Sequence, residues 1–269
     1  MPKRRSKKIR FFYNLRKYFP YAKRAAKAEL KSEVADSYLN WLWWIIEPLC
    51  YMLIYMFVFT VVFGTKEKYF ASFVLIGQAV WQFFSRMITG STTLITGNRG
   101  LVTKVYIPKY ILLLSKSFTY LFKFGISLLL CFVIMIIQRV PLDWHMLFAP
   151  LAIAVIYVIS FGLGLILMHL GVILNDLKNL TNIGLQMLFY LSGIFWNIRT
   201  RLAGFGSLWK WLLICNPAAF VMDSLRKCLI YGEMPSFKWL AIWLGIGLFL
   251  TFIGVRIIHK NENTYAKVI

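Results

Sequence analysis

Six long apolar runs, residues 44 to 63, 70 to 90, 117 to 137, 147 to 172, 180 to 196 and 237 to 258, constrain this chain more than any other feature. The hydrocarbon core of a bilayer takes roughly 20 apolar residues per helical crossing, and each run comes near that length. A helix pairs its backbone groups internally, which lipid demands of any spanning segment. The sequence therefore predicts an all-α integral membrane protein with six transmembrane helices. A hydrophobic share of 59% over 269 residues excludes an ordinary soluble domain.

A formal charge of +21 would on a soluble protein point to nucleic acid. Its placement argues otherwise. Lys3, Arg4, Arg5, Lys7, Lys8, Arg10, Arg16, Lys17, Lys23, Arg24, Lys27 and Lys31 all precede the first run, and positive charge ahead of a first span holds that end in the cytoplasm. Anionic membrane lipid attracts such a segment, so lipids and not nucleic acid are the expected partners. No cleaved signal peptide is expected, because FFY at 11 to 13 is too short for an apolar core region.

Six crossings return the C-terminus to the cytoplasm, with both termini inside. The connections follow by charge. Residues 64 to 69 and 138 to 146 carry few cations and suit the outside, whereas 91 to 116 carries Arg99, Lys104, Lys109 and Lys116 with no acid and suits the inside. Residues 197 to 236 depart from this pattern: they should lie outside, yet hold Arg199, Arg201, Lys210, Arg226 and Lys227 against Asp223 and Glu233. The stretch from 207 to 225 is apolar but interrupted at Asn216-Pro217, and a re-entrant pair of half-helices between spans five and six is the expected form.

Ahead of the first run, Ala22, Ala26, Leu30, Val34 and Tyr38 recur at every fourth position, with Lys23, Arg24, Lys27 and Lys31 off that line. That spacing predicts a basic amphipathic helix over 21 to 39 lying on the inner membrane surface. Trp41, Trp43 and Trp44 follow at interfacial depth. No internal repeat or linker divides the chain. Residues 1 to 269 read as one domain: a basic tail and amphipathic helix to 39, a six-span bundle from 40 to 258, and a short inner tail.

Ionisable residues inside spans are costly and by default functional. Glu47, Arg86, Lys123 and His169 all fall at the cytoplasmic ends of their spans under this topology. Glu47 has too short a stem to reach the headgroups, and Pro48 removes a backbone bond beside it. An inner polar cluster of Glu47 with Arg86 or Lys123 is therefore expected. Ser160 with Gly164, and Ala241 with Gly245, lie four apart and permit close helix approach within the bundle. Cys50, Cys131, Cys215 and Cys228 lack metal-ligand spacing, and no metal is expected; Cys215 and Cys228 could pair, but isolated small apolar side chains are the preferred reading.

The chain has no glycine-rich phosphate loop ending in Gly-Lys-Ser/Thr, no HExxH and no GxSxG elbow. No catalytic residue or cofactor is expected in it. A membrane-embedded transferase acting on lipid-linked sugars would need an acidic pair or metal ligands near one face, and a stand-alone channel a polar stripe along a span. Neither is found. What remains is a membrane component energised by another subunit.

The connection after the second run is the most specific stretch. Asn98, Leu101, Val102, Lys104, Val105, Tyr106, Ile107 and Pro108 follow the order of an inner-loop motif, Asn40, Trp41, Leu42, Trp43 and Pro48 a second, and Asn216-Pro217 a third. In these residues the chain resembles the permease subunits of ABC transporters of the ABC-2 type that export polysaccharides. The resemblance implies that the amphipathic helix (Ala26, Leu30, Val34, Tyr38) and a loop of Asn98, Arg99, Leu101, Lys104, Tyr106, Pro108 and Lys109 dock on a separate ATP-binding subunit, which holds ATP and Mg. It implies a homodimer in a bacterial cytoplasmic membrane moving a lipid-linked polymer. Many relatives carry Arg-Tyr-Arg ahead of the tryptophans, and this chain has Val34-Ala35-Asp36-Ser37-Tyr38 there, so no headgroup-binding role transfers to those positions.

Two features bear on the polymer. Tyr51, Tyr55, Phe59 and Phe63 recur at every fourth position, joined by Trp81, Phe84, Phe189, Tyr190, Phe195 and Trp196 on other runs, and aromatic faces suit sugar rings. The cations between 197 and 236 favour an anionic polymer. A teichoic acid on polyprenyl diphosphate is the expected cargo, with O-antigen or capsular polysaccharide as the alternative, and the chain looks most like the teichoic-acid translocation permeases.

Overall fold

The computed structural model describes residues 7–35, 38–65, 67–104 and 107–268. Tyr106, one of the docking-loop residues, lies outside them, as do Val105, Asp36 and Ser37. All regular structure among the described residues is helical.

α1 (Lys7–Val34) starts well before residue 21 and stops at Val34, with Pro20 inside it. The amphipathic helix is therefore longer at its front than the periodicity indicates, and Tyr38 stands beyond its end, fully exposed. Its apolar line is also used differently from expectation. Ala22 and Ala26 are buried, and Ser115 donates to the Ala22 carbonyl at 3.2 Å, so the line meets another helix and not lipid alone.

A 3-10 turn at Asn40–Leu42 leads into α2 (Trp43–Met56), which leaves through a π-helical turn at Phe57–Val62. α3 (Phe70–Thr92) follows, then two short helices, α4 (Leu94–Gly97) and α5 (Arg99–Lys104). α6 (Lys109–Ile137) begins directly behind Pro108, whose extended backbone stops anything preceding it from continuing into the helix. A 3-10 turn at Trp144–Phe148 opens α7 (Ala149–Ile173), with Pro150 in the first turn, where its missing N–H has no cost. α8 (Leu177–Leu191) and α9 (Ile198–Arg201) follow. α10 (Leu208–Cys215) and α11 (Pro217–Arg226) are separated at Asn216, and α11 runs on through a π-helical turn at Lys227–Tyr231. α12 (Phe237–Val268) closes the chain.

Among the described residues, four helical segments are long and apolar enough to cross a membrane: Asn40–Val62, Lys109–Ile137, Trp144–Ile173 and Phe237–Glu262. The other two expected spans fall on α3 and α8. α3 has 23 residues, ample length, but carries Gln78, Gln82, Ser85 and Arg86. α8 has 15 residues, about 22 Å of helix against a hydrocarbon core of about 30 Å.

α3 is the centre of the bundle, touching α2, α6, α7, α8 and α11. Contacts define the directions. Arg86 meets Glu47, Ser72 meets Gln138 and Thr89 meets Asn182, so α2, α6 and α8 run opposite to α3. Phe83 faces Tyr157 and Ser91 faces Gly164, so α7 runs with α3. Thr251 beside Val158 and Tyr265 beside His169 show that α12 runs with α7.

Between lipid-facing helices the hydrophobic effect offers little, and close packing has to supply the attraction. The α7–α12 seam uses Gly162, Gly247 and Gly254: a Cβ on Gly162 would sit 2.8 Å from the Thr251 nitrogen, and one on Gly254 2.5 Å from the Leu165 Cβ. Ala241 and Gly245 are exposed and take no part, because that pair lies on the opposite face of α12. Gly164 serves a different contact, against Ser91 and Leu113. The tightest approach is at Gly171, where a Cβ would stand 1.8 Å from the Thr92 carbonyl oxygen.

Gly171→Ala should therefore push α7 off the end of α3 and destabilise the protein by about 1–3 kcal/mol. Gly184→Ala, where a Cβ meets nothing within 4 Å, should leave stability unchanged or slightly raised. Thermal unfolding in detergent compares the two.

Candidate functional site

Three acid–base pairs gather at the end of the bundle where α1 ends and α2 begins. Arg86 Nη2 of α3 donates to Glu47 Oε1 of α2 at 2.8 Å. Lys116 of α6 is paired with Glu29 of α1, which also accepts from Thr119 Oγ1 at 3.3 Å. Lys123 Nζ lies 2.5 Å from Glu33 Oε2. Lys123 thus belongs to α1 and not to Glu47, because Glu33 reaches it first along the α1–α6 contact. Glu29 and Glu33 were not singled out from the sequence, although the signal is there: two acids four apart in a basic helix face two lysines seven apart on α6, each set on one helical face. His169 is met separately by the Tyr265 hydroxyl, 2.9 Å from its Nδ1.

The hairpin of α4 and α5 lies at the same end. Leu94, Ile95, Val102, Ile107 and Pro108 turn inward, while Arg99 and Lys104 are exposed and Leu101 is half-buried. Asn98 shapes the bend: its Nδ2 donates to the Leu94 carbonyl at 2.8 Å and its own carbonyl accepts from Val102 N at 2.9 Å. Lys109 is buried, and its Nζ donates to the Val102 carbonyl at 3.3 Å. Its side chain fastens the hairpin to α6 and is not part of the surface the hairpin presents.

The aromatic residues converge as one wall. Tyr51 stacks near Tyr55 at 6.2 Å, Tyr55 meets Phe195 at 4.1 Å, and Phe59 stacks on Phe195 at 5.0 Å. Phe195 touches Phe189 at 5.2 Å, which touches Trp81 at 5.6 Å and Tyr190 at 5.3 Å. Residues from α2, α3 and α8 are thus joined through Phe195. Tyr51 and Tyr190 are exposed, Tyr55, Phe59 and Phe189 half-buried, and Trp81 and Phe195 buried. Trp196 packs both against the main core and against a small cluster of Ile198, Leu213 and Ala219.

The break at Asn216 has a local cause. Its side-chain oxygen accepts from Ala218 N and Ala219 N at 3.1 and 3.2 Å, capping α11, while its Nδ2 donates to Ser192 Oγ at 2.8 Å. α11 then delivers Arg226 into the interior. Arg226 Nη1 donates to the Gly193 carbonyl at 2.8 Å, Nη2 to Ile194 at 2.8 Å and Phe73 at 3.1 Å, and the guanidinium lies 3.4 Å over the Phe73 ring. Gly77 makes the space, since a Cβ there would be 2.6 Å from Arg226 Nη2.

The cations of 197 to 236 are thereby largely engaged within the chain. Arg199 forks onto Asp223 at 3.1 and 2.8 Å, Lys227 stands 3.9 Å from Glu233, and Arg226 is buried, leaving Arg201 and Lys210 exposed. Of the net excess of positive charge, only Arg226 is withdrawn from solvent, and Arg201 and Lys210 still present it. Cys215 is exposed, Cys228 is buried, and both are free thiols.

Arg226→Met should cost at least about 2 kcal/mol, because the buried Gly193 and Ile194 carbonyls lose their donor. Arg226→Lys keeps the charge but not the planar fork and should recover little of that loss; melting temperatures in detergent report both. For the exposed side of the site, a double-mutant cycle of Glu47→Gln and Arg86→Gln should return a coupling of about 0.2–1 kcal/mol.

Known proteins are similar in sequence to most of this chain. The O-antigen export system permease protein RfbA of Klebsiella pneumoniae is 24% identical over 97% of this chain and 99% of its own. The protein of the same name from Myxococcus xanthus is 26% identical over 90% of this chain and 92% of its own. The polysialic acid transport protein KpsM of Escherichia coli is 24% identical over 87% and 91%. The family model for ABC-2 type transporters matches residues 22–230, from the buried face of α1 through the aromatic wall to the Arg226 socket, and the chain belongs to that family.

Proposed function

We propose that this chain is the permease subunit of an ABC exporter that carries a lipid-linked surface polysaccharide across a bacterial cytoplasmic membrane. The observation that carries this reading is the end-to-end similarity to O-antigen and polysialic acid proteins within the ABC-2 type family. Those relatives favour a polymer of the O-antigen or capsular class over teichoic acid.

In this reading the helices cross six times. The alternation of direction along α2, α3, α6, α7, α8 and α12 supports it. α3 can cross despite its polar residues because it is surrounded by other helices, and α8 can reach through with the turn at 192 to 197 that continues it. α10 and α11 then form the re-entrant outer pair. Both termini and the α4–α5 hairpin face the cytoplasm.

The ATP-binding subunit, holding ATP and Mg, docks against the exposed Arg99 and Lys104 beside the three inner ion pairs. Motion imposed there reaches α3 directly through Arg86 and Glu47. Two copies of the chain enclose the path, and the aromatic wall of Tyr51, Tyr55, Phe59, Phe189 and Tyr190 offers ring faces for sugars to slide along.

Changing Arg99 and Lys104 together to Glu should lower ATP-driven export in proteoliposomes at least tenfold and abolish co-purification of the ATP-binding subunit, with unchanged melting. Lys109→Met should instead lower the melting temperature. Normal export by the double Glu variant would remove the hairpin from the docking surface.

A further inference from the structure

A groove of about 610 Å3 opens between α1, the entry of α2 and the middle of α6. Its floor is apolar, formed chiefly by Leu30, Trp44, Phe118 and Phe122. Trp44 and Phe122 meet edge to face at 5.4 Å. Along one lip stand Lys23, Lys27 and Lys31, at every fourth position and thus about 6 Å apart along the helix. All three are exposed. The acids of the same helix do not neutralise them, because Glu29 and Glu33 are turned to Lys116 and Lys123 on α6.

We propose that this groove binds one anionic phospholipid, its phosphate on the lysine lip and an acyl chain over the aromatic floor. Charge and shape act together here. A bare lysine row would attract any anion, and a bare apolar groove any chain; an unbroken cationic edge on an apolar trough selects a molecule that has both parts. The volume falls within the roughly 300–1,000 Å3 of small-molecule sites. From Lys23 to Val34 the trough follows roughly 16 Å of helix, which suits a single acyl chain, and the long tail of a polyprenyl carrier would outrun it. Tryptophans at its mouth match interfacial depth. A lipid seated there joins α1 to the entry of α2. Only the leaflet that supplies it rests on the topology proposed above.

The test uses the full chain in detergent, without nucleotide, partner or polymer. Native mass spectrometry with phosphatidylglycerol and phosphatidylcholine should show the wild type retaining one phosphatidylglycerol under conditions that strip phosphatidylcholine, and phosphatidylglycerol should raise its melting temperature. Each single Lys→Gln change at 23, 27 or 31 should weaken that binding about fivefold, and all three together about a hundredfold. The charge-matched control, Lys178, Lys210 and Lys238 to Gln, should bind as wild type. All variants should melt alike before lipid is added, since the lysines are exposed. Equal retention of both lipids by the wild type, or undiminished binding by the triple variant, overturns the proposal. Displacement of phosphatidylglycerol by equimolar polyprenyl diphosphate also overturns it, by assigning the groove to the polymer's carrier. No outcome depends on export, so a failure here and a failure of the permease reading are separable.

Discussion

Lipid offers no hydrogen-bond partner, and that single constraint explains why α3 sits where it does. It carries polar side chains and exposes carbonyl oxygens that hydrocarbon could not satisfy. Four are answered by neighbours: Ser72 by Gln138 behind α6, the Phe73 carbonyl by Arg226 at the end of α11, Arg86 by Glu47 of α2, and Thr89 by Asn182 of α8; the Gln78 side-chain oxygen is buried without such a partner. α2, α6, α8 and α11 are thereby tied to one polar core, while the glycines of α7 and α12 complete the bundle by close approach.

The two ends of the molecule solve the same problem differently. At the end shared by α1 and the α4–α5 hairpin, the ion pairs are partly exposed and join neighbouring helices pairwise, an arrangement able to shift without stranding a buried charge. At the other end Arg226 is locked among backbone carbonyls under Phe73. A cation so placed holds the turn at 192 to 197, and with it Phe195, the ring through which the aromatic wall is joined. The first end suits a place where force enters; the second suits a fixed frame around a path.

The helical class and four of the long spans were legible because apolar runs of about twenty residues have few alternatives. Two runs were legible only as runs: polar residues on α3 make sense once its neighbours are known, and α8 ends short because the apolar run to 196 takes a turn after Leu191. The break at Asn216-Pro217 was visible from proline chemistry alone. Charge was counted correctly but not assigned. Nothing local distinguishes Arg226, which faces carbonyls, from Arg201, which faces solvent, and the partners of Lys116 and Lys123 lay in a tail whose acids looked incidental among its lysines. Small residues at a spacing of four were found on α12 but on its outer face, since spacing says that a helix can be approached closely and not from which side.

The central claim is that α8 completes a crossing, which puts the hairpin and the α9–α10 segment on opposite faces of the membrane. Single cysteines replacing Thr103 and Gly204, both exposed, in a chain otherwise free of cysteine, test it with a membrane-impermeant maleimide on intact and permeabilised cells. The account predicts labelling of Gly204→Cys from outside and of Thr103→Cys only after permeabilisation. Labelling of both positions from the same side would contradict it.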